Sequence, residues 1–230
     1  MTTLVVILLV GGWLWLRDSS LVAVQRVSVS GQSGPDAAQI GRALSAAARS
    51  MTTLDVNLGR LRMAVAPYPV VKDVSVSTQF PHRLRIRVIE QTPVGVITVS
   101  GRKIAVAGDG TLLHDVASAT LPAIALRVPP GGARLTDPTT LQAVAVLAAA
   151  PYQLLSHVSQ VTASAPHGLV AQLKAGPSIY FGAPTRLPAK WIAAATVLAD
   201  PRSAGAAYVD VNDPDRPAAG ASVPSPSSAG

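Results

Sequence analysis

The sequence predicts an α+β protein: an N-terminal membrane anchor, a domain of order strand, helix, helix, strand, strand, and a mostly antiparallel β domain carrying two helices. Three observations carry this expectation. An unbroken apolar run opens the chain. Apolar residues at helical spacing (Ile40, Leu44, Ala47 and Ala48) give way to apolar residues at every second position (Leu84, Ile86, Val88). Beyond Pro93, short β-type runs between Gly and Pro signals are interrupted by two proline-opened helical stretches.

The apolar run is Leu4 to Leu16, LVVILLVGGWLWL, followed at once by Arg17 and Asp18. As a helix it spans ~20 Å, short of the ~30 Å hydrocarbon core. Three readings compete. A signal-peptide core fits the length, but no basic n-region precedes it and no clear A-x-A cleavage site follows. A buried core helix conflicts with Trp13 and Trp15 beside a charged end, which is where interfacial anchors sit. The favoured reading is a transmembrane anchor over residues 1–17 whose first turns lie upstream of Met1.

Val22 to Ser30 reads as the first strand, ended by Gly31. Pro35-Asp36 opens a helix that runs to about Arg49. Leu58, Leu61 and Val65 mark a second, shorter helix, which Pro67-Tyr68-Pro69 ends. Val70–Thr78 and Leu84–Glu90 are strands joined by a turn at Phe80-Pro81-His82. Phe80 is expected to cap the core, and Pro81 to fix the turn.

These residues resemble a POTRA domain of the FtsQ/DivIB cell-division proteins. The resemblance rests on Val27-Ser28-Val29-Ser30-Gly31, on Pro69-Val70-Val71-Lys72-Asp73-Val74-Ser75-Val76, on Phe80-Pro81-His82-Arg83-Leu84-Arg85-Ile86-Arg87-Val88, and on Glu90-Gln91-Thr92-Pro93-Val94-Gly95. Asp73, Thr78, Gln91 and Gly95 depart from the family's pattern, and the family's basic cytoplasmic tail has no counterpart in these residues. The POTRA domain is expected over 22–93 and an FtsQ-type β domain over 94–213.

In that second region Val94 to Val99, Arg102 to Ala107 and Thr111 to Val116 read as strands, with a tight turn at Asp109-Gly110. A short strand is expected near Ala123 to Arg127, and others near Val158 to Ala163, Leu169 to Leu173 and Ser178 to Phe181. Thr136-Asp137-Pro138 starts one helix and Pro188 the other, which carries Trp191, Ala195 and Leu198. Tyr208-Val209-Asp210-Val211 reads as the last strand. From Pro214 to residue 230 the composition turns to Pro, Ala, Ser and Gly and reads as a disordered tail.

Composition limits the chemistry. Aromatic residues make up 4% of the chain, so the core rests on Val, Leu, Ile and Ala. The net charge of +7 favours acidic partners. Nucleic acid is the weaker choice, because there is no dense Lys/Arg run and few rings to stack on bases. The richest basic stretch, His82 to Arg87, alternates Arg with apolar residues, as on the wet face of a strand. There is no cysteine, hence no disulfide or thiolate metal site.

Catalytic signatures are missing. The single Glu, Glu90, sits before a proline turn, where a structural role is expected. His82, His114, His157 and His167 are scattered without metal spacing. Asp210, Asn212, Asp213 and Asp215 fail as a calcium loop, since Pro214 replaces a ligand and no closing Glu follows. No enzyme activity, cofactor or metal is expected.

What remains is recognition through a free sheet edge, to which an extended peptide can add a strand. The resemblance implies a bitopic scaffold of the divisome, in the cell membrane at the septum with its domains extracytoplasmic. It links early and late division proteins by binding FtsB/FtsL-like partners. By position, the implied docking surface is Tyr208, Val209, Asp210 and Val211, backed by Lys190, Trp191 and Arg186. Core packing is the stronger reading for Trp191; for Tyr208 the two weigh equally. A second contact region is expected along one of the POTRA strands Val70–Thr78 and Leu84–Glu90. The rival functions are another POTRA-containing envelope assembly or secretion module and, less favoured, a secreted hydrolase.

Overall fold

The computed structural model describes residues 20–114, 116 and 120–221, together with Gly12. Apart from Gly12, the expected anchor lies outside the described residues, as does the tail from residue 222. Among the described residues no helix is long and apolar enough to cross a membrane. The chain divides into two compact units, Met1–Gln91 and Thr92–Gly230.

In the first unit the order strand, helix, helix, strand, strand is realised as β1 (Arg26–Ser30), α1 (Ala37–Arg49), α2 (Leu58–Val65), β2 (Val71–Gln79) and β3 (Arg83–Glu90). The helical repeat of Ile40, Leu44 and Ala48 faces inward, and all three are buried. Asn57 caps α2 by accepting a bond from the Arg60 amide at 3.0 Å, which satisfies a donor the helix cannot. The alternation in β3 places Leu84, Ile86 and Val88 in the core with Leu61, Val65 and Val74. The sheet order is β1-β3-β2, with β1 parallel and β2 antiparallel to β3.

The structure narrows one expectation and overturns another. β3 is the middle strand, paired on both sides, so Leu84–Glu90 offers no edge; the free edges are β2 and β1. Phe80 does not cap the core, because it is 70% exposed at the cis Phe80–Pro81 turn. That end of the unit is closed instead by buried Val22, Val24 and Met51 and by polar ties. Thr53 Oγ1 donates to the Pro81 carbonyl at 2.8 Å, and His82 Nδ1 lies 3.2 Å from the Ala23 carbonyl oxygen.

The second unit is one nine-stranded sheet with helices on it. Its strands are β4 (Pro93–Val99), β5 (Arg102–Ala107), β6 (Leu112–Leu113), β7 (Ala123–Ile124), β8 (Val158–Ser164), β9 (Gly168–Leu173), β10 (Ser178–Gly182), β11 (Tyr208–Asp210) and β12 (Ala218–Gly220). The sheet order is β12-β11-β10-β9-β8-β7-β4-β5-β6. Most neighbours are antiparallel, but β4–β7, β7–β8 and β10–β11 are parallel. Helices α3 (Pro138–Ala148) and α5 (Leu187–Ala199) supply the covering layer, and a one-turn α4 (Tyr152–Leu155) joins the two expected helices. Asp137 caps α3 by accepting from the Thr140 amide at 2.7 Å and from the Thr140 hydroxyl at 2.6 Å.

One further expectation fails. Residues 214–221 are not wholly irregular, since Ala218–Gly220 form β12, antiparallel to β11. Backbone pairing needs no apolar side chains, so a composition of Pro, Ala and Gly hides it. A turn also prepares it: Asp213 Oδ1 accepts from the Asp215 amide at 3.1 Å, and the Arg216 amide donates to the Asp213 carbonyl at 3.1 Å.

Candidate partner-binding edge

The sequence places β10, α5 and β11 as a strand–helix–strand crossover, so β11 returns parallel to β10. Val209, at the centre of β11, is fully buried together with Val211, Ile179 and Phe181. Both flanks of β11 are occupied. β10 lies on one side, with Val209 opposite Ile179, and β12 on the other, with Val209 opposite Ala219. Tyr208–Asp210 is therefore an inner strand and not the last one. Among the described residues the sheet ends on β12, with no strand on its outer side.

The side chains of β11 divide between two faces. Val209 points into the core, whereas Tyr208 and Asp210 are half-buried on the other face. There Tyr208 stacks on Tyr180 with ring centroids 5.4 Å apart, and Tyr180 stacks on His167 at 4.2 Å. The three rings form a ladder across β11, β10 and the turn before β9. Burial raises the Tyr180 hydroxyl above its ordinary value, with smaller contributions from Tyr208 and Asp210. Asp210 is occupied locally, accepting from the Asn212 amide at 2.8 Å.

Helix α5 supplies structure rather than contact surface at the positions singled out from the sequence. Trp191 is fully buried, its ring tilted against Phe181 at 4.8 Å, and its Nε1 donates to the Val146 carbonyl at 2.8 Å. Lys190 is only 1% exposed, and its ammonium donates to the carbonyls of Phe181 at 2.7 Å and Ala183 at 2.9 Å. It thereby holds the β10–α5 turn closed from inside. Burial pushes its pKa below the ordinary lysine value, the Arg186 charge pushes the same way, and Asp210 opposes them. Neither Trp191 nor Lys190 is a surface anchor; for Trp191 this is the core packing that the sequence favoured, and for Lys190 it corrects a contact role.

Arg186 precedes α5 in the left-handed region, at φ 53° and ψ 31°. Its guanidinium donates to Asp215 with both terminal nitrogens, at 2.8 and 3.2 Å. The pair ties the β11–β12 turn to the start of α5. The hydrogen bonds and charge of Arg186 hold the Asp215 carboxyl below the usual range. Gly220 completes the edge opposite Tyr208. The sequence reading missed Ala218, Ala219, Gly220 and Asp215. The signal that could have found them is the Asn212-Asp213-Pro214-Asp215 turn, which reads as a hairpin connection after a strand. Among the described residues no group of His, Asp or Glu could hold a metal ion.

Residues 22–91 match the family model described as the POTRA domain, FtsQ-type. The chain carries an FtsQ-type POTRA domain. The match covers the unit built from β1, α1, α2, β2 and β3, which is under half of the chain. No curated protein matches the chain.

Proposed function

We propose that the chain is a membrane-anchored scaffold of the divisome at the septum, whose C-terminal unit receives an extended FtsB/FtsL-like segment as an added strand on the free side of β12. The observation that carries this reading is the sheet order: among the described residues a large sheet ends on a three-residue strand of small residues with no strand on its outer side. Ala218 and Ala219 are exposed and present little side-chain bulk, so an incoming backbone can approach closely. The FtsQ-type POTRA domain supplies the family context in which such a contact belongs.

Tyr208, Val209, Asp210, Val211 and the Arg186–Asp215 pair support this edge from behind rather than forming it. The apolar run Leu4–Leu16 would hold both units outside the membrane.

The test is a binding assay with synthetic extracytoplasmic segments of FtsB- and FtsL-like proteins, comparing the chain with a version that stops after Pro217. Loss of binding on removing β12 supports the edge. Tighter binding after its removal would show that β12 instead fills a groove on β11 that the partner needs.

A further inference from the structure

Arg83, Arg85 and Arg87 occupy alternate positions on β3, the middle strand of the first unit, and all three are exposed. Residues two apart in a strand share a face and stand about 7 Å apart. Arg26 of β1, also exposed, lies opposite Arg83 and adds a fourth guanidinium. Hydroxyls flank the row: Ser28 lies opposite Arg85 on one side, and Ser77 on the other. Ser30 and Ser75 flank Arg87 in the same way, and Gln79 lies beside Arg83. The helices and the apolar core lie on the opposite face, with Leu84, Ile86 and Val88.

Nothing described within the unit neutralises this row. The same alternation in β2 reaches one carboxylate, Asp73, and Arg62 Nε holds it at 2.8 Å. Among the described residues no carboxylate pairs with Arg26, Arg83, Arg85 or Arg87. Residues 1–91 hold ten of the nineteen Lys and Arg but five of the twelve Asp and Glu, so they carry +5 of the +7. Like charges side by side on a sheet repel, which disfavours the arrangement unless an external anion compensates.

We infer that this arginine–serine face of the POTRA domain rests on a surface of anionic lipid headgroups, with guanidiniums and hydroxyls binding headgroup phosphates. The inference rests on the anchored reading above. Guanidinium forks match phosphate oxygens in pairs, and serine hydroxyls add donors between them. A shallow depression of about 290 Å³ lined by Arg26, Ser28, Gln79, Arg83 and Arg85, with Val27 and Leu84 between them, offers room for a headgroup. Protein partners are gripped by apolar or aromatic anchors at the centre of a patch. Nine positions of this face, three on each strand, carry Arg, Ser and Gln, and its apolar side chain, Ile89, lies beyond them at one end opposite Asp73 rather than at the centre. Arg26 follows the end of the apolar run by ten residues, a reach of at most about 35 Å.

The chain has no cysteine, so one fluorophore can be placed at will. The full chain is labelled at Ser77→Cys on the face or at Met63→Cys, an exposed position on α2. Each is mixed with phosphatidylcholine vesicles, or with vesicles about one-third phosphatidylglycerol, carrying headgroup nitroxides. Flotation with the neutral vesicles tests the anchor separately. The face predicts that phosphatidylglycerol increases quenching at Ser77→Cys several-fold more than at Met63→Cys. The excess disappears in high salt. Arg83→Gln/Arg85→Gln/Arg87→Gln lowers the anionic-lipid contribution on the order of 100-fold. The matching triple Lys variant retains most of it, which separates charge loss from misfolding. Flotation only with anionic vesicles, lost in the triple Gln variant, supports the face while sinking the anchor. Equal quenching at the two labels, or shielding of Ser77→Cys by polyglutamate but not by lipid, overturns the inference.

Discussion

Gly220 lies directly against the ring of Tyr208: a methyl group in its place would stand 2.5 Å from Tyr208 Cε1 and 2.6 Å from the phenolic oxygen. The two residues are partners across β11 and β12, so the ring lies over the outermost strand. Gly220 is what allows Tyr208 to remain stacked on Tyr180 while β12 pairs beside it.

Gly220→Ala should therefore displace either the ring or the strand. Overpacking of this kind costs about 1–3 kcal/mol where the surroundings cannot yield. β12 is short and at the edge, so it yields first. The expected result is a small fall in Tm and a large loss of partner-segment binding, read by calorimetry and by titration. A variant that binds normally would separate the docking edge from β12.

Lys190→Met removes the two bonds to Phe181 and Ala183 and leaves their carbonyls without that donor. The loss should be about 1–3 kcal/mol in urea unfolding. The pH dependence has a definite sign. The folded chain releases the Lys190 proton at lower pH than the unfolded chain, so between the folded value and 10.5 the unfolded state holds more protons. Stability contributed by this site therefore rises with pH through that window. The gap between the natural chain and Lys190→Met should widen as pH rises toward 10.5.

Trp191→Phe keeps most of the buried ring volume but deletes the bond to the Val146 carbonyl, at a cost of about 1–3 kcal/mol. Trp191→Ala should cost about 3–5 kcal/mol. Because the ring is fully buried, the affinity of the fraction that remains folded should not change. Reduced affinity of a folded Trp191→Phe chain for the partner segment would place the ring in the contact after all.

Arg186→Ala and Asp215→Ala should give nearly the same result, since each breaks the same exposed pair. Global melting should hardly move, because exposed pairs contribute little. Amide exchange in residues 213–220 should accelerate, as the turn loses its tie to α5. The Asp215 pKa is lowered in the folded state, so the tie is fully present above the ordinary carboxylate value and is lost as pH falls through the folded one. Exchange measured at falling pH in the natural chain should approach that of Asp215→Ala.

Periodicity made the first unit readable. Ile40, Leu44 and Ala48 repeat on one helical face, and Leu84, Ile86 and Val88 alternate, so element type and inward face follow from local spacing. Strand order does not follow from spacing. The parallel pairing of β1 with β3, which makes β3 the middle strand, depends on contacts between residues some 57 positions apart, such as Val27 with Leu84. The Arg of β3 were correctly read as a wet face, but their alignment with Arg26 and the serines needed the register. At the candidate edge, Tyr208 and Val209 were recognisable as a strand, whereas Ala218–Gly220 carried no side-chain signal. Lys190 misled for a related reason: a lysine reads as surface, yet its long stem reaches inward to two turn carbonyls.

The position of β12 in chain order has a consequence for biogenesis. Among the described residues every other strand of its sheet precedes it, and its one strand partner is β11. During synthesis the open edge therefore comes into being after the remaining eight strands have left the ribosome. A chain interrupted by premature termination before Ala218 could build its core, with Val209 and Val211 in place, and still lack the strand on which partner capture is proposed. Capture at this edge would then proofread completion: unfinished copies would be excluded from assembly without any separate quality-control factor.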